Sequence, residues 1–344
     1  MDNKTFSNDY SFDSRNNCKI DMVMSGKYLA ERNFNIDIDE YLIDEYPKVD
    51  RIDYLKNLIS KKYNKSIDNF VIGAASNGII QNLVKLLFCK GGNLITAEFS
   101  FEQPEYAVRR LGGQIKKINN NNDFTINFEN ILDAVDNNTK AIFLCNPNNP
   151  TGFYYEPNVL IEFANKVKIP VIISEAAIEF TKKASLLDYD LPENIIVTRT
   201  FSKAYGLAGL RIGFAYLQGK LLDMYINGIT RFEVSLLSIE VAINMLEKKD
   251  IDNNVNLVIE ERNYLQEELK KIGIETLPSE SNAFMSRNSY DNDFFEILNK
   301  NNISVAKVDD RKTKKYYFRI AVQTHNINAL FISVMNELKK RKKF

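Results

Sequence analysis

Apolar residues in this chain of 344 fall in short runs separated by polar turns. Four of these, at 94–97, 141–145, 171–173 and 195–198, are rich in Ile, Val and Leu and too short for helices, which is the pattern of strands buried on both faces. Between about 70 and 214 such runs alternate with helical-period segments, of which 79–88 is the clearest. The alternation predicts an α/β fold, with a mainly parallel sheet lying between helices. A helical segment from about 235 through 271, rich in Leu, Ile, Glu and Lys, then leads away from that layer. Residues 272–344 read as a smaller α+β unit that the N-terminal segment joins. The run Asn119-Asn120-Asn121-Asn122-Asp123 reads as a loop tip of low complexity with no functional claim, and no repeat is visible.

Chemistry concentrates in Thr200-Phe201-Ser202-Lys203-Ala204-Tyr205-Gly206-Leu207-Ala208-Gly209-Leu210-Arg211-Ile212-Gly213. One lysine sits there among small hydroxyls, glycines and an arginine. A lysine that condenses with the aldehyde of pyridoxal phosphate (PLP) must lose its proton easily, and the cofactor's phosphate needs hydroxyl, N–H and guanidinium donors close by. Thr200, Ser202 and Arg211 can supply them. The plainer alternative is a helix start with Ser202 as N-cap and Lys203 in solvent. Upstream, the run at 141–145 empties into Asn146-Pro147-Asn148-Asn149-Pro150-Thr151-Gly152, and ligands sit at such strand ends in open α/β sheets. Alone, that segment is equally a rigid turn.

Together these motifs resemble the class I/II aminotransferases of the fold-type I PLP superfamily, most closely the histidinol-phosphate aminotransferase branch. The resemblance runs from about Tyr46 onward. It implies a large PLP-binding domain at 45–235 and a small domain built from 1–44 and 236–344. It implies that Lys203 forms the aldimine with PLP, that Asn149 holds the cofactor's ring oxygen, and that Arg211, eight residues beyond the lysine, contacts the phosphate with Thr200 and Ser202. Gly73-Ala74-Ala75-Ser76-Asn77-Gly78 looks like the family's first phosphate-binding turn, placing Ala75, Ser76 and Asn77 at a helix N-terminus facing an anion; an ordinary strand-to-helix loop is the alternative. Phe101 falls where the family stacks an aromatic ring on the pyridine, and a core phenylalanine would look the same. Tyr46-Pro47 resembles the pair that reaches the partner's site in a homodimer. Arg319, in the apolar run Phe318-Arg319-Ile320-Ala321-Val322, needs a buried anion, and the family uses it, with Asn149, toward substrate. Residues 278–284 look like its small-domain substrate loop.

One departure stands out. The family reads Asp-Glu-Ala-Tyr after the strand at 171–173, whereas this chain reads Ser174-Glu175-Ala176-Ala177. The aspartate keeps the pyridine nitrogen protonated and the ring an electron sink, but Ser174 can only hydrogen-bond a neutral pyridine. Glu175, one position along the strand, should face the other way. An altered chemistry, a PLP binder with little turnover, or an engineered pair of changes would each explain the difference.

Composition adds limits. Lys+Arg and Asp+Glu are 45 each, so charge makes no case for nucleic acid or a membrane surface, and the basic run at 339–343 reads as a solvated helix end. No apolar run has the length of a membrane span, and the polar start at residues 1–4 shows no signal-peptide pattern. Cys18, Cys89 and Cys145 have neither paired nor metal-like spacing, which suits a reducing cytoplasm. The single histidine, His325, reads as a surface residue in a polar turn, which leaves no basis for a His-dependent triad or a metal site. The expected activity is transfer of an amino group between an amino acid and a keto acid or phosphorylated carbonyl compound. Amino acid decarboxylation, and PLP binding with reduced turnover, are the alternatives.

Overall fold

The computed structural model describes residues 20–24, 26–31, 41–229, 232–248, 251–310, 313 and 315–341. Cys18, residues 1–4, Lys342 and Lys343 lie outside the described residues. A seven-stranded sheet organises the chain. Its strands are β2 (Phe70–Gly73), β3 (Asn93–Ala97), β4 (Gln114–Ile118), β5 (Thr139–Cys145), β6 (Val171–Ser174), β7 (Ile195–Thr200) and β8 (Gly213–Tyr216), after a short β1 (Ile20–Asp21) that belongs elsewhere. Their order is β2-β8-β7-β6-β5-β3-β4, and only β8 runs antiparallel to its neighbours.

The continuous apolar runs are explained by what covers the two faces. Ile142, Leu144, Val171, Ile173, Ile195 and Val197 enter one buried cluster. Their alternates Ala141, Phe143, Ile172 and Ile196 enter another, with Ile79, Ile80, Leu83 and Val84 of the helix Ala75–Leu87. Each such Val, Leu, Ile or Phe side chain contributes about 1.5–3 kcal/mol when removed from water, which is why both faces must be apolar.

The helices, in chain order, are α1 (Tyr41–Asp44), α2 (Val49–Tyr63), α3 (Ala75–Leu87), α4 (Gln103–Arg110), α5 (Phe128–Asp133), α6 (Pro157–Asn165), α7 (Gly219–Gly228), α8 (Leu236–Lys248), α9 (Asp252–Lys271), α10 (Asn292–Lys300) and α11 (His325–Lys340). Three expectations change. Helix α3 starts a turn before Ile79, so Ala75, Ser76 and Asn77 are its first turn and not a loop ahead of it. The segment expected to run from 235 through 271 is two helices, α8 and α9. His325 is exposed as expected, but it opens α11, and its Nδ1 lies 2.8 Å from Glu261 Oε1.

Beyond α9, β9 (Ala283–Met285), β11 (Ala306–Asp310) and β12 (Lys315–Ala321) form an antiparallel sheet in the order β11-β12-β9. The N-terminal segment is woven into this part. β1 pairs in parallel with β10 (Ile303–Ser304), and Ala321 N–H donates to Met22 O at 2.7 Å. No helix among the described residues is long and apolar enough to cross a membrane.

Candidate active site

Sheet register assembles the site. Gly73, Gly213 and Thr200 lie side by side across β2, β8 and β7. Cys145, Ser174 and Thr198 do the same across β5, β6 and β7. The carboxyl ends of the parallel strands and the start of α3 therefore meet at one edge. Gly213 permits that meeting, because a Cβ there would come within 2.6 Å of Arg199 O and 2.8 Å of Ser76 N. Any larger residue would push the first turn of α3 off the sheet. In α3 the Gly78 N–H makes a helical bond to Ala74 O at 3.1 Å, so the N–H groups of Ala75, Ser76 and Asn77 precede the ladder. Ala75 has φ 59°, a left-handed conformation that a non-glycine residue adopts where its surroundings impose it.

Lys203 lies between β7 and β8, and Ser202 caps no helix: residues 201–205 form bends and turns. Thr200 Oγ1 donates to Ser202 Oγ at 2.8 Å, Ser202 N–H donates to Thr200 Oγ1 at 3.1 Å, and Arg211 Nη1 approaches Ser202 Oγ at 3.4 Å. The three donors singled out in the sequence thus form one network beside the α3 N-terminus. Burial, followed by the charges of Arg319 and Arg211, lowers the Lys203 amine from the ordinary 10.5 to about 7. Arg319 comes from β12, so the two sheets converge on this lysine.

The asparagine-rich turn after β5 separates its three amides by their partners. Asn146 is spent on Tyr155, its Nδ2 donating to the carbonyl at 2.9 Å and its Oδ1 accepting from the N–H at 2.8 Å. Asn148 Nδ2 donates to Phe99 O and to Thr151 Oγ1, both at 2.8 Å. Asn149 makes no such side-chain bond among the described residues. It lines a cleft of about 370 Å³ with Ser100, Phe101, Val308 and Arg319. The turn is backed by the segment expected as a substrate loop: Glu280 N–H donates to Gly152 O at 2.9 Å, and a Cβ on Gly152, whose φ is 81°, would overlap Ser279.

Ser174 is buried at the end of β6. Glu175 faces away, as its register predicts. Its Oε2 accepts from Ser185 Oγ at 2.5 Å and lies 3.3 Å from Arg199 Nη1, and its Oε1 accepts from Leu186 N–H at 2.8 Å. Ala177 offers only a methyl group. Tyr46 stands apart from all of this: the residue is 75% exposed, and its ring packs on Phe232 with centroids 5.0 Å apart.

Other residues of the site carried no sequence signal. Arg319 Nη1 donates to Val23 O at 3.1 Å, and Gly26 packs on the lysine loop, where a Cβ would sit 3.2 Å from the Ala208 Cβ. Asn254 of α9 donates to Ala204 O at 2.8 Å and accepts from Leu29 N–H at 2.6 Å, tying the N-terminal segment to the lysine's neighbour. Backbone groups do most of this work, so no residue type announces it.

The donor set fits a phosphorylated aldehyde. It combines a lysine that is half neutral near pH 7, a helix N-terminus, two hydroxyls and a guanidinium. Asn77 Oδ1 in the first turn of α3 and Thr198 Oγ1 near the end of β7 are buried without a hydrogen-bond partner among the described residues, as expected where a polar group belongs. No group of three or more metal-ligating side chains occurs among the described residues.

Fold and site together define a PLP enzyme of the α/β type. The chain matches the model of the family "Aminotransferase class I and II" over residues 7–330, and it belongs to that family. It is 33% identical to a histidinol-phosphate aminotransferase of Caldanaerobacter subterraneus over 78% of each chain. It is 30% identical to the enzyme of that name from Methanococcus maripaludis, over 88% of this chain and 85% of the relative. A histidinol-phosphate aminotransferase structure from Sinorhizobium meliloti, solved with pyridoxal-5'-phosphate, superposes with a TM-score of 0.81 at 20% identity, covering 94% of this chain and 91% of that one. The protein is a PLP-dependent aminotransferase acting on small molecules, and decarboxylation is not favoured.

Proposed function

We propose that Lys203 is the residue to which PLP is joined. The observation that carries this reading is the lowered pKa of an amine set among phosphate-binding groups. The N–H groups of Ala75, Ser76 and Asn77, with Thr200, Ser202 and Arg211, would hold the phosphate. Asn149 would hold the ring oxygen, Phe101 would cover the ring, and Ser174 would hydrogen-bond its nitrogen. When bound, PLP supplies the carbonyl that takes up the amino group and a conjugated ring that withdraws electrons from the substrate's α-carbon. Lys203, about half neutral near pH 7, would accept the proton from that carbon and return it two atoms along, at the carbon that had been the cofactor's carbonyl. Arg319 orients the substrate's anionic group, and the N-terminal segment helps to keep water from the cleft.

The substrate proposed is an amino compound with an anionic tail, L-histidinol phosphate being the first to test. Both relatives bear that name, and Arg319 supplies a buried cation beside Lys203. The holoenzyme is to be mixed with a panel of amino donors while its absorbance is followed. A donor that acts bleaches the PLP band, and Arg319→Gln should raise its KM by about tenfold or more, as expected for a charged hydrogen bond worth about 1.5–3 kcal/mol. A panel in which no amino compound changes the spectrum would refute the assignment.

The reading extends to organisation. Residues 45–235 form the large domain, the remainder the small one, and the site is completed in a homodimer. Supporting the dimer, Ile43, Tyr46, Val49 and Phe232 are apolar or aromatic side chains each more than 60% accessible, and the Tyr46 and Phe232 rings pack on one another at the surface. Tyr46 would reach the partner's phosphate site. Sedimentation should give a dimer, and a stable monomer with undiminished PLP binding would argue against it. Cys89 and Cys145, both free, agree with a reducing cytoplasm.

A further inference from the structure

Three rings join the wall of the cleft that bears Asn149 to the wall that bears Arg319. Phe99, just after β3, and Phe124, in the turn before α5, have centroids 5.7 Å apart. Tyr317 of β12 meets both edge-on, at 5.5 and 5.3 Å with interplanar angles of 89°. Such geometry is the favoured one for aromatic pairs. Tyr317 lies two residues before Arg319 in the same strand, so the ring and the guanidinium leave one face of the hairpin.

The two phenylalanines are held by asparagines. Phe99 O accepts from Asn148 Nδ2 at 2.8 Å, which links it to the neighbour of Asn149. Phe99 N–H donates to Asn120 Oδ1 at 3.1 Å, and Asn120 Nδ2 donates to Phe124 O at 2.9 Å. Phe124 N–H donates to Asn121 O at 2.9 Å. This places Phe124 at φ 70°, a conformation a bulky residue adopts only when its surroundings impose it. The asparagine run that reads as an idle loop tip is therefore the clamp that presents the Phe124 ring.

We propose that Phe99, Phe124 and Tyr317 are positioning residues that set the separation between Arg319 and the Asn149 turn, and with it how tightly the cleft holds the anionic end of its substrate. This rests on the reading of Arg319 as the anion's partner. The contact touches no reacting atom. Loosening it weakens ground state and transition state alike, so KM rises while kcat is kept.

The test uses the holoenzyme carrying Tyr317→Ala, Tyr317→Phe, Phe124→Gly or Arg319→Gln. It is titrated with L-histidinol phosphate and, separately, with inorganic phosphate, reading the cofactor's absorbance. Phe124→Gly removes the ring from a position whose backbone suits glycine, so the turn is retained. Tyr317→Ala and Phe124→Gly are expected to raise the KM of the first probe and the Kd of the second by about 3- to 10-fold, the worth of one or two aromatic pairs. Turnover should stay within about twofold, and Tyr317→Phe should match the parent. Unchanged constants in Tyr317→Ala and Phe124→Gly, beside raised ones in Arg319→Gln, would overturn the positioning role. Unchanged constants in Arg319→Gln would overturn the reading of Arg319 instead.

Discussion

Lys203→Ala should lower the rate of amino transfer by at least about 10²- to 10⁴-fold, the range general acid–base catalysis alone contributes. PLP should still bind, because the phosphate groups proposed for it are untouched. The same lysine dictates a pH dependence. Its pKa in the folded protein is about 7 against an ordinary 10.5, so the amine is neutral and nucleophilic above about pH 7. Capture of added PLP by cofactor-free protein should rise with pH through a midpoint near 7 and then level, where an unperturbed lysine would keep gaining past 10. The linkage has a definite sign. Between about 7 and 10.5 the unfolded chain binds more protons at this group than the folded one, so stability rises with pH across that window and is least below it. Lys203→Ala should flatten that rise. Arg319→Gln should shift the capture midpoint upward, since it removes a cation that disfavours the charged amine.

Ser174→Asp, with Ala177→Tyr added, should accelerate the half-reaction with a good amino donor by about tenfold or more. A carboxylate close to a base raises its pKa by about 1–3 units, and a pyridine nitrogen that keeps its proton withdraws electrons far better than one hydrogen-bonded to a hydroxyl. Glu175, the nearest acid in sequence, is committed to Ser185, Leu186 and Arg199 on the opposite face. The added tyrosine would return a hydroxyl where Ala177 has none. The cofactor's absorbance should shift with the rate. A parent protein that turns over faster than the Ser174→Asp form would show that the serine serves a chemistry preferring a neutral pyridine, and the reaction products would then have to be identified directly.

The four central strands β3, β5, β6 and β7 were legible because burial on both faces leaves them runs of apolar residues, as at Ile142 and Phe143, which pack into opposite layers; β4, with Gln114, Lys116 and Lys117, offered no such run. The lysine segment was legible because few structures need hydroxyls, glycines and a spaced arginine together. The start of α3 was not, since Ala75, Ser76 and Asn77 show no apolar period, and what sets their conformation is the sheet edge at Gly213. Nor was the break between α8 and α9, where polar residues surround it and helical composition continues on both sides. Val23 enters the site by a carbonyl oxygen that any residue could offer. Asn120 carried no sequence signal for a related reason. Its value lies in contacts with Phe99 and Phe124 that only the folded chain creates.

Borohydride reduction of the PLP-loaded protein, followed by peptide mapping, bears most directly on the central claim. The pyridoxyl mass is expected on the peptide containing Lys203, at that residue and on no other. The same mass on a different lysine, or no covalent label after loading, would contradict it.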